Sequence, residues 1–150
     1  MKLFVKEKCE VKETEVEIRC RTRDREVDAL IAGIKNAASF LVGEKENGNL
    51  CQVPVARIFY FEAIEGKVFA YLEKELIRIR SALYEVESTY QSNHFVRISK
   101  SVVVNLRMIT NIRPEEGRRV RIEMKNQEYL IVSKNYVSDL KKALGMKEGK

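Results

Sequence analysis

The sequence has few of the residues on which catalytic and metal sites depend. It contains one histidine, His94, and three cysteines, with no C-x-x-C pair. No glycine-rich phosphate-binding pattern joins a strand to a helix, and Ser99-Lys100-Ser101 lacks the S-x-x-K spacing of a serine–lysine nucleophile. Because an enzyme needs reactive groups that converge, we expect no enzyme, no metal site, no cofactor and no small-molecule substrate.

Long apolar runs are also lacking. No stretch approaches the roughly 20 apolar residues that cross a bilayer, and the first residues, MKLFVKEKCEVKE, are too charged for a signal peptide. The odd number of cysteines argues against a disulfide framework, so Cys9, Cys20 and Cys51 are interpreted as reduced thiols, two of them packed in the core. The expected location is the cytoplasm.

What the sequence does have is positive charge, which is concentrated in its second half. The net charge is +6. Residues 1–75 contain 13 Lys and Arg against 14 Asp and Glu, whereas residues 76–150 contain 15 against 8. Such an uneven balance favours a polyanionic partner, with nucleic acid first and a membrane surface second. The alternative is that the surplus only forms a solvated surface.

The first 54 residues predict a strand, a helix and a hairpin. Apolar and charged residues alternate over residues 15–21, which indicates a half-buried strand, and apolar residues recur at helical spacing over residues 27–38. The apolar side of this helix either covers a sheet or pairs with a second copy. Asn47-Gly48 marks the turn of a hairpin that Pro54 ends. We therefore divide the chain into an appendage, residues 1–54, and a domain, residues 55–146.

The domain is predicted to be mainly β, in the α+β class. Short alternating stretches with tight turns indicate an antiparallel meander over residues 55–79 and a hairpin over residues 120–132. Short helices are predicted to begin at Ser81 and at Ser133. No internal repeat is present.

Residues 94–106 place a cationic turn between two apolar anchors. Phe95, Val96 and Ile98 interleave with Arg97, and three valines follow Ser99-Lys100-Ser101. Because the turn contains no glycine, we expect it to be rigid, with side chains that point at a partner.

Four segments resemble the LytTR DNA-binding domain of bacterial transcription regulators. They are RIFYFEAIEGKVFAYLEKE at residues 57–75, RSALYEVES at residues 80–88, FVRISKSVVVNL at residues 95–106 and YLIVSKNYVSDLKKAL at residues 129–144. The segments occur in the family's order, and the third is the most specific.

The resemblance implies stacked antiparallel β-sheets with short helices, in which loops and not a recognition helix enter the major grooves of double-stranded DNA. It assigns DNA contact to six residues on three loops: Lys67, Arg97, Ser99, Lys100, Lys134 and Asn135. It also implies a sequence-specific transcriptional regulator. Because a receiver domain needs far more chain than the first 56 residues, we expect none here. We also expect a homodimer that binds promoter repeats, and no membrane partner.

The sequence departs from the family pattern at three positions, which lie in two of the loops. Ser99-Lys100 stands where the family often has His-Arg, and Ser133-Lys134 stands where Ser-Arg is common. Lysine is a flexible point charge, whereas arginine offers a planar fork that fits guanine. A second interpretation is therefore a regulatory or protein-interaction module that keeps the fold and binds DNA only non-specifically. RNA binding, a third, requires exposed aromatics that could stack on bases, namely Phe59, Tyr60, Phe61 and Phe69.

Overall fold

The computed structural model describes residues 1–146, in which two antiparallel β-sheets combine with three α-helices. The helices are α1 (Arg25–Ala37), α2 (Leu83–Thr89) and α3 (Val137–Ala143). The strands are β1 (Phe40–Glu44), β2 (Leu50–Pro54), β3 (Tyr60–Ile64), β4 (Lys67–Tyr71), β5 (Leu76–Ile79), β6 (Phe95–Arg97), β7 (Val102–Asn105), β8 (Ile109–Pro114), β9 (Val120–Met124) and β10 (Tyr129–Val132). The predicted mainly β architecture is confirmed.

The larger sheet separates two hydrophobic cores. Its strand order is β2-β1-β5-β4-β3-β7-β6, and the smaller sheet has the order β10-β9-β8. Because side chains alternate across a strand, Phe61 and Val103 enter the core that includes α2. Their neighbours Tyr60 and Val104 point the other way, into the core shared with the smaller sheet and α3. The two sheets are therefore stacked, as the resemblance implied.

The β1–β2 hairpin extends the larger sheet. β1 meets β5 where Glu44 pairs with Arg78. Gly43 permits the close approach, because a Cβ there would lie 2.1 Å from Cγ2 of Ile77. The hairpin also contributes two side chains to the first core, Leu41 and Val53. The domain boundary at Pro54 stays a prediction.

Helix α1 begins at an acidic cap and is attached to the domain by a buried polar contact. The Asp24 carboxylate accepts a hydrogen bond from the Val27 amide at 3.0 Å. Near the other end, Nδ2 of Asn93 donates to Oδ1 of Asn36 at 2.8 Å, and both side chains are buried. Val27 is buried, whereas Ile34 is 39% exposed. The helix thus packs against the 3₁₀ turns at residues 55–57 and 91–93 and leaves part of its apolar side open.

The strand predicted over residues 15–21 is wrong. Residues 1–24 form neither a strand nor a helix, and Val16 is 61% exposed. The alternating pattern supplies one apolar face, but a strand also needs a neighbouring backbone to pair with, and no strand of residues 25–146 pairs with this segment. The prediction of two core cysteines is also wrong, because Cys9 and Cys20 are exposed and only Cys51 is half-buried.

Three elements begin later than the sequence predicted. Residues 55–57 form a turn of 3₁₀-helix before β3 starts at Tyr60. Helix α2 starts at Leu83, where the Glu85 carboxylate accepts the amide of Ala82 at 3.1 Å. Helix α3 follows a 3₁₀ turn, and the side chain of Ser133 makes no capping hydrogen bond. A 3₁₀ turn replaces the first residues of β3 and α3, and a capping contact delays the start of α2.

A stacked tyrosine pair lies between the two sheets. The rings of Tyr60 and Tyr71 are 4.4 Å apart. The Tyr60 hydroxyl donates to Glu128 at 3.0 Å and the Tyr71 hydroxyl donates to Glu62 at 2.9 Å. Burial, with the hydrogen bond to Glu62, raises the pKa of Tyr71 to about 12.

Phe59, Tyr60 and Phe61 are buried, so they offer no surface for stacking on RNA bases.

Candidate nucleic-acid interface

The cationic turn is closed by backbone and hydroxyl hydrogen bonds. It joins β6 to β7, and the Ile98 amide donates to the Val102 carbonyl at 3.0 Å across its base. The Ile98 side chain is fully buried, which anchors the turn in the second core. Oγ of Ser99 accepts from the Ser101 amide at 3.2 Å, whereas Lys100 is exposed at the tip. The turn therefore holds Lys100 outward on a fixed backbone.

Arg97 holds this turn from inside. Its Nε donates to the Ser99 carbonyl at 2.8 Å, and its guanidinium also donates to the Lys100 carbonyl. On the other side, Nη1 lies 3.5 Å from Oε1 of Glu87 in α2. The side chain is 20% exposed. Because the guanidinium is occupied by groups of the protein, the geometry favours a positioning role, and direct phosphate contact by Arg97 stays a prediction.

The turn is hydrogen-bonded to segments that lead into the other two predicted loops. The Ala63 amide donates to the Ser101 carbonyl at 2.8 Å, near the end of β3, and the β3–β4 turn at Glu65-Gly66 follows. The Ser133 amide donates to the Ile98 carbonyl at 2.9 Å, directly before Lys134. The structure therefore brings the three loops together.

The predicted contact residues on these loops are accessible. Lys67, Lys100, Lys134 and Asn135 are exposed, and Ser99 is half-buried. Among residues 1–146 none of the three lysines takes part in an ion pair. Within the described residues, no carboxylate therefore lies within ion-pair distance of these three side chains.

Two residues at the opposite end of β6 and β7 fix these strands. Nδ2 of Asn105 donates to the Ile58 carbonyl at 2.9 Å, and its Oδ1 accepts from the Arg107 amide at 3.0 Å. His94 has a left-handed backbone (φ 68°) before β6. Burial and the charge of Arg107 lower the pKa of the His94 imidazole. The His94 carbonyl accepts from the Leu106 amide at 2.9 Å, so both residues hold the strands that present the turn.

A family model, the LytTr DNA-binding domain, matches residues 48–145. The chain belongs to the LytTR family. The resemblance in the sequence is thereby confirmed. A solved LytTr DNA-binding domain of a Bacillus cereus regulator is 28% identical and superimposes with a TM-score of 0.67, over 72% of this chain and 98% of that one.

Transcriptional regulators of Staphylococcus aureus are further relatives of this LytTR protein. HTH-type regulators of strains NCTC 8325 and COL, both described as uncharacterized, are each 29% identical over 94 residues. The match covers 63% of this chain and 63% of each relative, so the chain spans less than two thirds of the relatives' length. In residues 1–146 strands separate the three α-helices in sequence, so none of these helices forms a helix–turn–helix with another.

The structure also places basic residues of the LytTR domain that the sequence did not single out beside the third loop. The β8–β9 loop, residues 115–119, and α3 line one groove with Lys134 and Asn135. Arg118, Arg119 and Lys141 belong to this groove. Their charge contributes to the basic excess of the second half, but the spacing of the residues gave no sign that they meet.

No α-helix in the described residues is long and apolar enough to span a bilayer.

Proposed function

We propose that this protein is a sequence-specific regulator of transcription that contacts the major grooves of double-stranded DNA through three loops. The observation that supports this most directly is the turn at Ser99-Lys100-Ser101. Hydrogen bonds join it to segments leading into the other two loops, and each loop presents an exposed lysine that forms no ion pair with residues 1–146. Membership of a DNA-binding family supports the same partner.

The loops divide the work between affinity and sequence recognition. Lys67 and Lys134 neutralise phosphates and release counterions, which makes the affinity fall steeply with salt. Base edges are read by the groups at the tips of the loops. Asn135 can bind adenine through the oxygen and the nitrogen of its side-chain amide, and Lys100 can donate to guanine. Backbone contacts fix the register in which these groups meet the bases.

Removing the Lys100 side chain tests this assignment. The preferred duplex is the sequence that the parent protein enriches from a random pool. Lys100→Ala should weaken binding to this duplex by about 1–3 kcal/mol, which is roughly 5- to 150-fold, because one base contact is lost. Lys35→Ala is the matched control, since Lys35 is an exposed lysine in the last turn of α1, outside the three loops. A gel-shift titration gives both affinities. Equal affinity of Lys100→Ala and the parent protein would exclude the proposed role of Lys100.

Non-specific DNA binding is the second candidate function. Positions 100 and 134 favour it, because both are lysine where arginine is frequent in the family. Lysine lacks the planar fork that selects guanine. It predicts that Lys100→Ala weakens binding to preferred and random duplexes by the same factor. Sequence-specific contact predicts a larger loss on the preferred duplex.

We further propose that the protein acts in the cytoplasm as a homodimer on repeated promoter sites. Ile34 on α1 and Phe40 and Val42 on β1 are large apolar side chains left exposed by the single chain, which supports pairing with a second copy. Sedimentation equilibrium at micromolar concentration should give the mass of a dimer. A monomer mass at that concentration, with and without duplex DNA, would contradict the proposal.

A further inference from the structure

An open groove of about 700 Å³ runs between the β8–β9 loop and α3. Four basic side chains line it: Arg118 and Arg119 from the loop, Lys134 from the turn before α3, and Lys141 from α3. The groove contains no part of the β3–β4 turn or of the turn at Ser99-Lys100-Ser101. It is therefore a separate surface that shares only the third loop with the three-loop interface.

Within residues 1–146 the positive charge of this groove is not balanced by acidic side chains. Glu115 is the acidic residue of its lining, and its carboxylate lies 2.8 Å from Nε of Arg121. The Arg121 guanidinium also lies 5.4 Å from the centre of the Tyr129 ring, which helps to hold it in place. Glu115 is thus already paired. Among residues 1–146, neither Arg118 nor Lys141 forms an ion pair.

The loop backbone presents Arg118 in an unusual way. Gly117 (φ 72°) and Arg118 (φ 61°) have left-handed backbones in succession. This conformation costs free energy for a residue with a side chain, and such residues occur where the surrounding structure enforces them, often at functional sites. Arg118 is exposed, while the neighbouring Arg119 donates from Nε to the Glu116 carbonyl at 3.0 Å. The loop therefore holds one arginine in place and presents the other to solvent.

We infer that this groove binds the sugar–phosphate backbone of DNA outside the base pairs that the three loops contact. The inference rests on the proposed function. Unpaired arginine and lysine side chains along one groove match a row of phosphates, and phosphate contacts carry no sequence preference. Because Lys134 and Asn135 belong both to the third loop and to the wall of the groove, DNA on the loops continues directly into it.

The test uses single and double variants of the full chain. Arg118→Asn removes the charge and keeps a residue that tolerates the left-handed backbone. Lys141→Gln removes a second charge of the groove. Lys142→Gln is the matched control, because Lys142 is the next residue of α3, is exposed, and does not line the groove. Fluorescence anisotropy measures the dissociation constant over a range of salt concentrations, with a preferred and a random duplex.

Arg118→Asn and Lys141→Gln should each weaken binding to both duplexes by the same factor. Each should lower the slope of log affinity against log salt by about 0.9, and the double variant by about 1.8. A slope equal to that of Lys142→Gln would overturn the inference while the parent protein still binds DNA. If the parent protein binds neither duplex, the proposed function itself fails, and the groove has no DNA to bind.

Discussion

Replacing Arg97 by glutamine removes the guanidinium that holds the cationic turn. In the folded protein this group donates to the carbonyls of Ser99 and Lys100 and lies beside Glu87. Glutamine keeps an amide that can donate hydrogen bonds, but it is shorter and uncharged. The variant therefore loosens the backbone that carries Lys100 without removing any side chain from the tip of the turn.

The expected loss of stability follows from these contacts. A hydrogen bond to a charged group contributes about 1.5–3 kcal/mol, and the ion pair with Glu87, at 3.5 Å and partly exposed, adds less than about 1 kcal/mol. Glutamine recovers part of this, so we expect Arg97→Gln to lower the free energy of unfolding by about 2 kcal/mol. For a chain of this length the melting temperature should fall by roughly 4–8 °C.

Thermal unfolding and DNA titration together separate positioning from direct contact. If Arg97 positions the turn, both Arg97→Gln and Glu87→Gln lower the melting temperature and weaken DNA binding, because both loosen the same guanidinium. If Arg97 instead binds a phosphate, Glu87→Gln should strengthen DNA binding, since it removes a competing carboxylate. Unchanged stability of Arg97→Gln, with a salt slope lower by about 0.9, would refute the positioning role.

Two further substitutions test how the N-terminal region is attached to the domain. Gly43→Ala should lower the unfolding free energy by about 1–3 kcal/mol in urea titrations, because the new methyl group collides with Ile77. Gly33→Ala lies at a helical site where the new methyl group meets no neighbouring atom within 4 Å, so it should raise the unfolding free energy by about 0.5–1 kcal/mol. If Gly33→Ala lowers the unfolding free energy as much as Gly43→Ala does, the collision with Ile77 is not the cause of the loss at Gly43. Asn93→Ala should cost about 1–3 kcal/mol by leaving the Asn36 amide buried without its partner. The double variant Asn36→Ala/Asn93→Ala should lose less unfolding free energy than the two single variants together. Strict additivity would show that the two amides do not interact.

The regular part of the fold could be predicted because its signals are local. Gly48 and Gly66 mark hairpin turns because glycine adopts a left-handed backbone at little cost, and both hairpins form. Residues 15–21 carry an equally clear alternating pattern, yet they form no strand. Pairing depends on which edges the rest of the fold leaves available, and a pattern within one segment does not contain that information.

The candidate site shows the same division between local and long-range information. The resemblance named Lys100 and Lys134, and the structure brings their loops together through hydrogen bonds of the segments around them. The resemblance could not indicate that the Arg97 guanidinium points back into its own turn, because the direction of a side chain is not visible in the sequence. Arg118 and Lys141 are 23 positions apart in the sequence, and only the stacking of β8–β9 beside α3 places them in one groove.

The proposed function depends on sequence-specific recognition of double-stranded DNA. The most direct test selects bound duplexes from a random pool and then compares the dissociation constants of the selected and a random duplex at physiological salt. We predict that the selected duplex binds at least about 10³-fold more tightly, the lower end of the range for specific regulators. Equal affinity for the two duplexes would contradict the claim and leave only non-specific binding to the phosphate backbone.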